Sequence, residues 1–338
     1  MEQALSIIVI VLALGFDFTN GFHDAANAIS TVISTRAMPP RAALAMSAVM
    51  NLIGALLGVH VADTIAKKIV FFGDISSVKM LVILLAALAG AIVWNLITWV
   101  LGLPSSSSHA LIGGLVGAGL AASVYVPDIY VQWMSVVEKV VLPMFISPII
   151  GFTMAFLLMI LIFWLFRNSN PAKTTKHFKV AQIFSSMATA LGHGLQDAQK
   201  TMGIIFLCAV AMDWEVPDAE IPLWIKVCSA SAIAFGTYSG GFKIIKTLGR
   251  KIIDVDPVRG FTAELVAAVV LWGASFGFSA PISTTHAFTS AIMGAGASKR
   301  LSAVRWGVAK NIVGAWFLTL PAAALVAALI YFALHPFL

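Results

Sequence analysis

Apolar residues in this chain come in long runs separated by short polar joints. Ten segments can be drawn, at about 4–35, 42–60, 79–103, 105–124, 140–166, 180–210, 224–242, 261–280, 282–298 and 306–334. A helix of roughly 20 apolar residues spans the hydrocarbon core of a bilayer and satisfies its own backbone hydrogen bonds there. The pattern predicts an all-α membrane protein of about ten apolar segments. It leaves open whether 79–124 crosses fully or turns back at Pro104, because both arrangements put the flanking joints on the same sides.

Composition agrees. Of 338 residues, 60% are hydrophobic and 11% charged, against about 25% charged in soluble domains; mean hydropathy is +0.96. The net charge of +6 does not signal nucleic acid, because the basic residues sit in short joints, where Lys and Arg mark the cytoplasmic side of a membrane. Cys208 and Cys228 lie in or beside apolar runs and form neither a disulfide framework nor a zinc site. Met1-Glu2-Gln3 lack a basic leader region, so the first apolar run is expected to be a span rather than a removed signal peptide.

The charge pattern divides the chain. Residues 167–179 carry Arg167, Lys173, Lys176 and Lys179 without an acid, predicting a cytoplasmic linker between a first repeat, 1–166, and a second, 180–338. Arg36 and Arg41, the group from Lys243 to Arg259, and Lys299, Arg300 and Arg305 fall on the same side. The joint with Asp213, Glu215, Asp218 and Glu220 falls outside. Lys67, Lys68 and Lys79 also fall outside, against the rule, offset in part by Asp63 and Asp74. Both termini are then expected outside a cell membrane whose bilayer is the protein's solvent. Oligomeric state stays open, a homodimer included.

The chain also repeats internally. Pro104, Ser106, His109, Ala110, Gly117, Ala118 and Gly119 recur in register as Pro281, Ser283, His286, Ala287, Gly294, Ala295 and Gly296. Thr64-Ile-Ala-Lys-Lys-Ile69 matches Thr247-Leu-Gly-Arg-Lys-Ile252, and Asp24 and Asp197 precede Pro104 and Pro281 by 80 and 84 residues. An odd number of segments per half predicts inverted topology. Such repeats, with broken or re-entrant helices and a site between them, recur in secondary transporters.

Four polar clusters interrupt the apolar runs. In Asn20-Gly-Phe-His-Asp24-Ala-Ala-Asn27, the Asn-Gly pair is expected to break the helix and free backbone N–H groups that attract anions. Asp24 and Asn27 share a helix face, and an ionisable residue at membrane depth marks a functional site by default. In the second half Asp197 matches Asp24, and Lys200 stands where Asn27 stands, as a partner for Asp197. The other two clusters follow prolines: Ser106, Ser107 and Ser108, with counterparts Ser283, Thr284 and Thr285, offer hydroxyl and backbone donors to an anion. His109 and His286 are either packing donors or proton carriers. The four cluster histidines lack the spacing of a metal site. A Ser108–His109–Asp24 hydrolase is disfavoured because adjacent side chains diverge on a helix and no nucleophile elbow is present; the chain is not expected to be an enzyme. Gly113, Gly114 and Gly117 suit close helix packing. Glu264, inside an apolar run, has no assignable role.

At these residues the chain resembles the inorganic phosphate transporter (PiT) family, which includes a sulfate-permease branch. The resemblance rests on Asn20-Gly-Phe-His-Asp24-Ala-Ala-Asn27-Ala, Gly194 to Gly203, Gly240-Gly-Phe-Lys-Ile-Ile-Lys-Thr-Leu-Gly-Arg250, Pro281-Ile-Ser-Thr-Thr-His286, and the stretch from Ala303 to Thr319-Leu-Pro-Ala-Ala. It implies secondary transport of phosphate coupled to Na⁺ or H⁺, with no further cofactor. Asp24, Asn27, Asp197 and the turns at 106–108 and 283–285 would contact the anion or coupling ion, and Lys200 joins them as a tethered positive charge. Two departures stand out: Leu195-Gln196 precede Asp197 where the family commonly has a short residue and Asn, and Lys200 replaces an Asn favoured by Na⁺-coupled members. An ammonium in place of Na⁺ points to H⁺ symport, with Asp24, Asp197, His109 and His286 as proton candidates. Sulfate transport, Na⁺ coupling and an anion channel are the alternatives.

Overall fold

Helices account for nearly all of the chain, as lipid requires of backbone that must close its own hydrogen bonds. The computed structural model describes residues 2–337; Met1 and Leu338, the outer bounds of the two expected repeats, lie outside them. The first half contains α1 (Glu2–Ser34), α2 (Pro40–Leu56), α3 (His60–Lys68), α4 (Ser77–Leu101), α5 (Ser107–Ser123), α6 (Trp133–Val136) and α7 (Leu142–Leu165). The second contains α8 (Pro171–Ala211), α9 (Leu223–Ser239), α10 (Phe242–Lys246), α11 (Pro257–Trp272), α12 (Thr284–Ala297) and α13 (Trp306–Leu334). Strands β1 (Val70–Phe72) and β2 (Ile129–Val131) pair antiparallel, Val70 opposite Val131.

Every one of the ten apolar segments holds a helix, but they are not ten equal spans. Among the described residues, five helical stretches are long and apolar enough to cross, six if α2 and α3, bent by 67°, count as one. Helices α5 and α12, with 17 and 14 residues, rise about 25 and 21 Å, short of a core of about 30 Å. The expected linker 167–179 is mostly helix: Pro171 opens α8 at its first position and Asn170 caps it by accepting from Ala172 and Lys173 N–H, a strong start signal.

The expected break at Asn20-Gly21 does not occur; α1 runs unbroken from Glu2 to Ser34. Gly21 serves a neighbour instead. A Cβ there would strike the backbone of α9 at Ile233, Gly236 and Thr237, and one at Gly236 would strike Phe18 of α1. The counterpart pair behaves alike, Gly194 of α8 lying against Asn51 and Gly54 of α2 against Leu191. Missing side chains let backbones approach where lipid offers no hydrophobic drive.

Contacts between α1 and α8 show the inversion directly. Thr201 donates to Asp17 at 2.6 Å, Ser186 to the Ala28 carbonyl at 2.5 Å, and Thr35 to Gln182 at 2.8 Å. As α1 advances α8 recedes, so the two equivalent helices are antiparallel. The halves also interlock: α1 packs on α9 and α2 on α8, while α5 packs on α13 and α12 on α7. The tightly packed Gly113, Gly114 and Gly117 of α5 lie against Leu320, Ala87 and Ala324.

Two hairpins follow from the same symmetry. Helix α4 ends at Gly102, whose φ of 66° closes the helix in the left-handed region. The chain then turns at Pro104, and α5 packs back along α4. Thr247 donates to the Gly102 carbonyl at 3.1 Å and its counterpart Thr64 to the Ser279 carbonyl at 3.0 Å. Segments 79–124 and 257–297 therefore each fold as an antiparallel helical hairpin, with its turn at Pro104 or Pro281.

Candidate functional site

The two hairpin tips meet inside the molecule. Ser106 and Ser283 cap α5 and α12 by accepting from the backbone N–H of His109 at 3.1 Å and His286 at 3.2 Å. Those two hydroxyls, expected to face an anion, give an oxygen lone pair to the caps and keep their O–H as a donor. The hydroxyls that reach the centre belong to the next two residues of each helix, Ser107 and Ser108 in α5 and Thr284 and Thr285 in α12. Backbone N–H groups at these first positions have no partner within the helix, and the macrodipole adds partial positive charge. The His109 and His286 rings lie 4.8 Å apart, edge to face, so the two helices begin side by side.

Helices α1 and α8 supply the charged groups, in a pattern with approximate twofold symmetry. Each aspartate meets the first hydroxyl of its own half: Ser107 donates to Asp24 at 3.2 Å, and Thr284 to Asp197 at 3.5 Å. Three residues on, each polar residue meets the second hydroxyl of the other half. Asn27 donates to Thr285 at 2.9 Å, and Lys200 to Ser108 at 2.5 Å. Thr285 also donates to Asp24 at 3.4 Å. Lys200 pairs with Asp197 as the sequence predicted, and further donates to the Ile282 carbonyl at 3.4 Å. All of these side chains are buried, Asp24 at 3% exposure and Lys200 at 1%, so the centre is closed to both ends of the molecule.

Two histidines without an expected role complete the site. His23 Nδ1 lies 2.7 Å from Asp24 Oδ1, and its Nε2 3.1 Å from the Thr98 hydroxyl. His193, on the turn preceding Asp197, brings Nε2 to 3.1 Å from the carboxylate and Nδ1 to 3.1 Å from Asn51. Asp24, His193 and Asp197 each place a ligand atom within 4.8 Å of the others, two carboxyls and an imidazole close enough to share a proton or a small cation. The sequence signal was the one-turn spacing of His193 and Asp197. The expected histidines differ: His109 and His286 touch neither aspartate, and His286 stacks on Trp316 at 4.0 Å between ring centroids. Packing is their visible part.

Two buried acids lie outside this centre. Glu264 of α11 accepts from Thr31 and from Ser185 at 2.7 Å, and its own carbonyl accepts from Thr189 at 2.7 Å, tying α11 to α1 and α8. Asp17 of α1 accepts from Thr201. The rule that singles out Asp24, an ionisable residue inside an apolar run, applies to Asp17 equally.

Known proteins share this chain's sequence and its architecture. The chain matches the profile of a family described as "Phosphate transporter family" over residues 20–327. It is 44% identical over 331 residues to a "Probable low-affinity inorganic phosphate transporter" of Bacillus subtilis (strain 168), covering 98% of this chain and 97% of that one. A protein of the same description from Rhizobium meliloti (strain 1021) is 45% identical over 330 residues, covering 97% and 96%. Among solved structures, one described as "The sodium-dependent phosphate transporter" aligns with a TM-score of 0.90 at 28% identity, over 99% of this chain and 100% of that one.

Proposed function

This chain belongs to the phosphate transporter family, and on that premise we propose that it imports inorganic phosphate by H⁺ symport, holding the anion between two inverted repeats. The observation that carries the reading is the meeting of two helix N-termini, with the hydroxyls of Ser107, Ser108, Thr284 and Thr285, around the single buried ammonium of Lys200. Unpaired N–H groups, hydroxyls and one tethered cation are what a tetrahedral oxyanion needs, and Asn27 extends the donor set. Phosphate is favoured over sulfate because it can donate a hydrogen bond to Asp24 or Asp197, where sulfate has no proton to give.

Electrostatics argues for coupling. Two carboxyls, Asp24 and Asp197, face one ammonium. At about 4 Å and an effective dielectric constant near 20, a pair of like charges repels by roughly 4 kcal/mol. Bringing a further anion to such a centre is uphill unless a cation comes with it, and the buried site favours a mechanism of alternating access over an open channel.

The choice of proton over sodium rests on Lys200. Its ammonium sits among Asp197, Ser108 and the Ile282 carbonyl, an all-oxygen surround of the kind a sodium ion takes, so a fixed charge fills that role and the mobile one falls to H⁺. Sodium coupling is the second reading, favoured by the likeness to a solved transporter described as sodium-dependent. Purified protein in sealed vesicles decides between them: an inward proton gradient without sodium is expected to drive ³²P-phosphate accumulation, with excess sulfate competing weakly. Accumulation that requires a sodium gradient at constant pH gives the sodium reading instead.

The joints group by charge at two ends. Lys67 pairs with Asp218 at 3.1 Å, joining the anomalous lysines to the acidic joint. Arg305 pairs with Asp254 at 2.6 Å, and Phe178 meets Phe166 and Phe261, each at 5.3 Å, joining the basic segments. That grouping supports a cell-membrane orientation with the basic end inside and both termini outside.

A further inference from the structure

We propose that Asp17 is the residue that binds the coupling proton, at Oδ2, on the side of the anion site from which α1 begins; the proposal rests on the H⁺-symport reading above. Asp17 is fully buried near the middle of α1. Its Oδ1 accepts from Thr201 at 2.6 Å, while Oδ2 has no partner. Ser229 of α9 faces the same carboxyl, and its hydroxyl is likewise buried without a partner. One proton on Oδ2, donated to the Ser229 oxygen, would satisfy both atoms at once. The same hydroxyl can turn and donate to an ionised Oδ2, so the pair serves both states of a titrating carboxyl.

The surroundings fit a titrating group with no fixed counter-charge. Among the described residues no basic side chain lies at ion-pair distance from Asp17. The nearest charges are Asp197 and Lys200 on α8, and these are committed to each other. Helix α9 presents Ser229 and no ionisable side chain among its buried residues, and the buried residues of α4 include none either. Protonation turns a buried carboxylate into a neutral carboxyl and breaks no other bond.

Position links the proton to the cargo. Asp17 precedes Asp24 by seven residues, two helical turns or about 10 Å on the same face. Asn20 lies between them on that face, and its Oδ1 is also buried and unpartnered. The opposite half has no equivalent acid: the position matching Asp17 in α8 is Ala190, buried and apolar. The acid is therefore a second place, beside Lys200, where the two halves differ in charge.

The test is Asp17→Asn, a neutral isostere that still offers a carbonyl oxygen to Thr201 and an amide donor to Ser229. In sealed vesicles it is expected to lose at least 10-fold in phosphate accumulation driven by a proton gradient, while phosphate–phosphate exchange, which needs no net proton movement, stays within 3-fold of the parent. Alkalinisation of weakly buffered medium on phosphate addition should vanish with it. Asp17→Glu should restore gradient-driven accumulation with a displaced pH profile. Full gradient-driven accumulation by Asp17→Asn overturns the assignment. So does loss of exchange together with accumulation in both variants, which marks a structural residue. A parent protein driven only by sodium refutes the symport reading itself, and the parent control shows this before any variant is measured.

Discussion

Lys200 and Asn27 occupy equivalent positions on α8 and α1, reach equivalent hydroxyls across the interface, and differ by one charge. That difference makes Lys200 the most informative side chain to change. Lys200→Asn restores the neutral amide of the other half, and uptake by this variant is expected to fall at least 10-fold with a proton gradient and to gain dependence on sodium, as measured by uptake in choline against sodium medium. Lys200→Ala is a different experiment: it leaves Asp197 buried beside His193 without its ammonium, and removing one partner of a buried pair costs about 3–5 kcal/mol. Thermal unfolding in detergent should show that loss, and Asp197→Asn added to Lys200→Ala should recover most of it without recovering transport. Asp24, Asn27, Asp197 and Lys200 were legible as residues because polar side chains in an apolar run are costly and hence meaningful. His193 was harder to see, because its tie to Asn51 crosses to another helix.

At the scale of elements, the glycines separate local from tertiary causes. Gly21 and Gly194 sit in continuous helices, and each is required by the backbone of a helix from the other half. Gly15, six residues before Gly21, meets nothing within 4 Å of where a Cβ would stand. The same substitution should therefore have opposite signs. Gly15→Ala is expected to stabilise by about 0.4–1 kcal/mol through helix propensity, and Gly194→Ala to destabilise by about 1–3 kcal/mol by forcing α2 away; unfolding midpoints of the two variants check both. This also explains why Asn20-Gly21 misled. Its local preference for a break is worth about 1 kcal/mol, less than the packing that a straight α1 gains against α9. The prolines before the serine and threonine turns are a local signal for free N–H groups there, while the capping by Ser106 and Ser283 is seen only in the structure. The path of α5 and α12 after those turns stays open in the sequence, because it depends on what the two helices meet on the way.

At the scale of the whole molecule, the two ends carry different charge and should be separately addressable. In a Cys228→Ser background, Asp218→Cys is expected to react with a membrane-impermeant maleimide from outside intact cells, and Lys176→Cys only after the membrane is opened; the reverse pattern would turn the assigned orientation over. The all-helical membrane class and the repeated pairs Asp24/Asp197 and Pro104/Pro281 followed from the chain alone, because each is a matter of local chemistry: helices close their own hydrogen bonds, and a repeat is visible as repeated letters. The tertiary structure alone decided that the halves exchange partners, with Asn27 reaching Thr285 and Lys200 reaching Ser108, that α1 stays whole, and that Asp17 is left with an unpaired oxygen. Those outcomes depend on how closely two antiparallel helices approach and at what register, which is set by side chains far apart in sequence acting together.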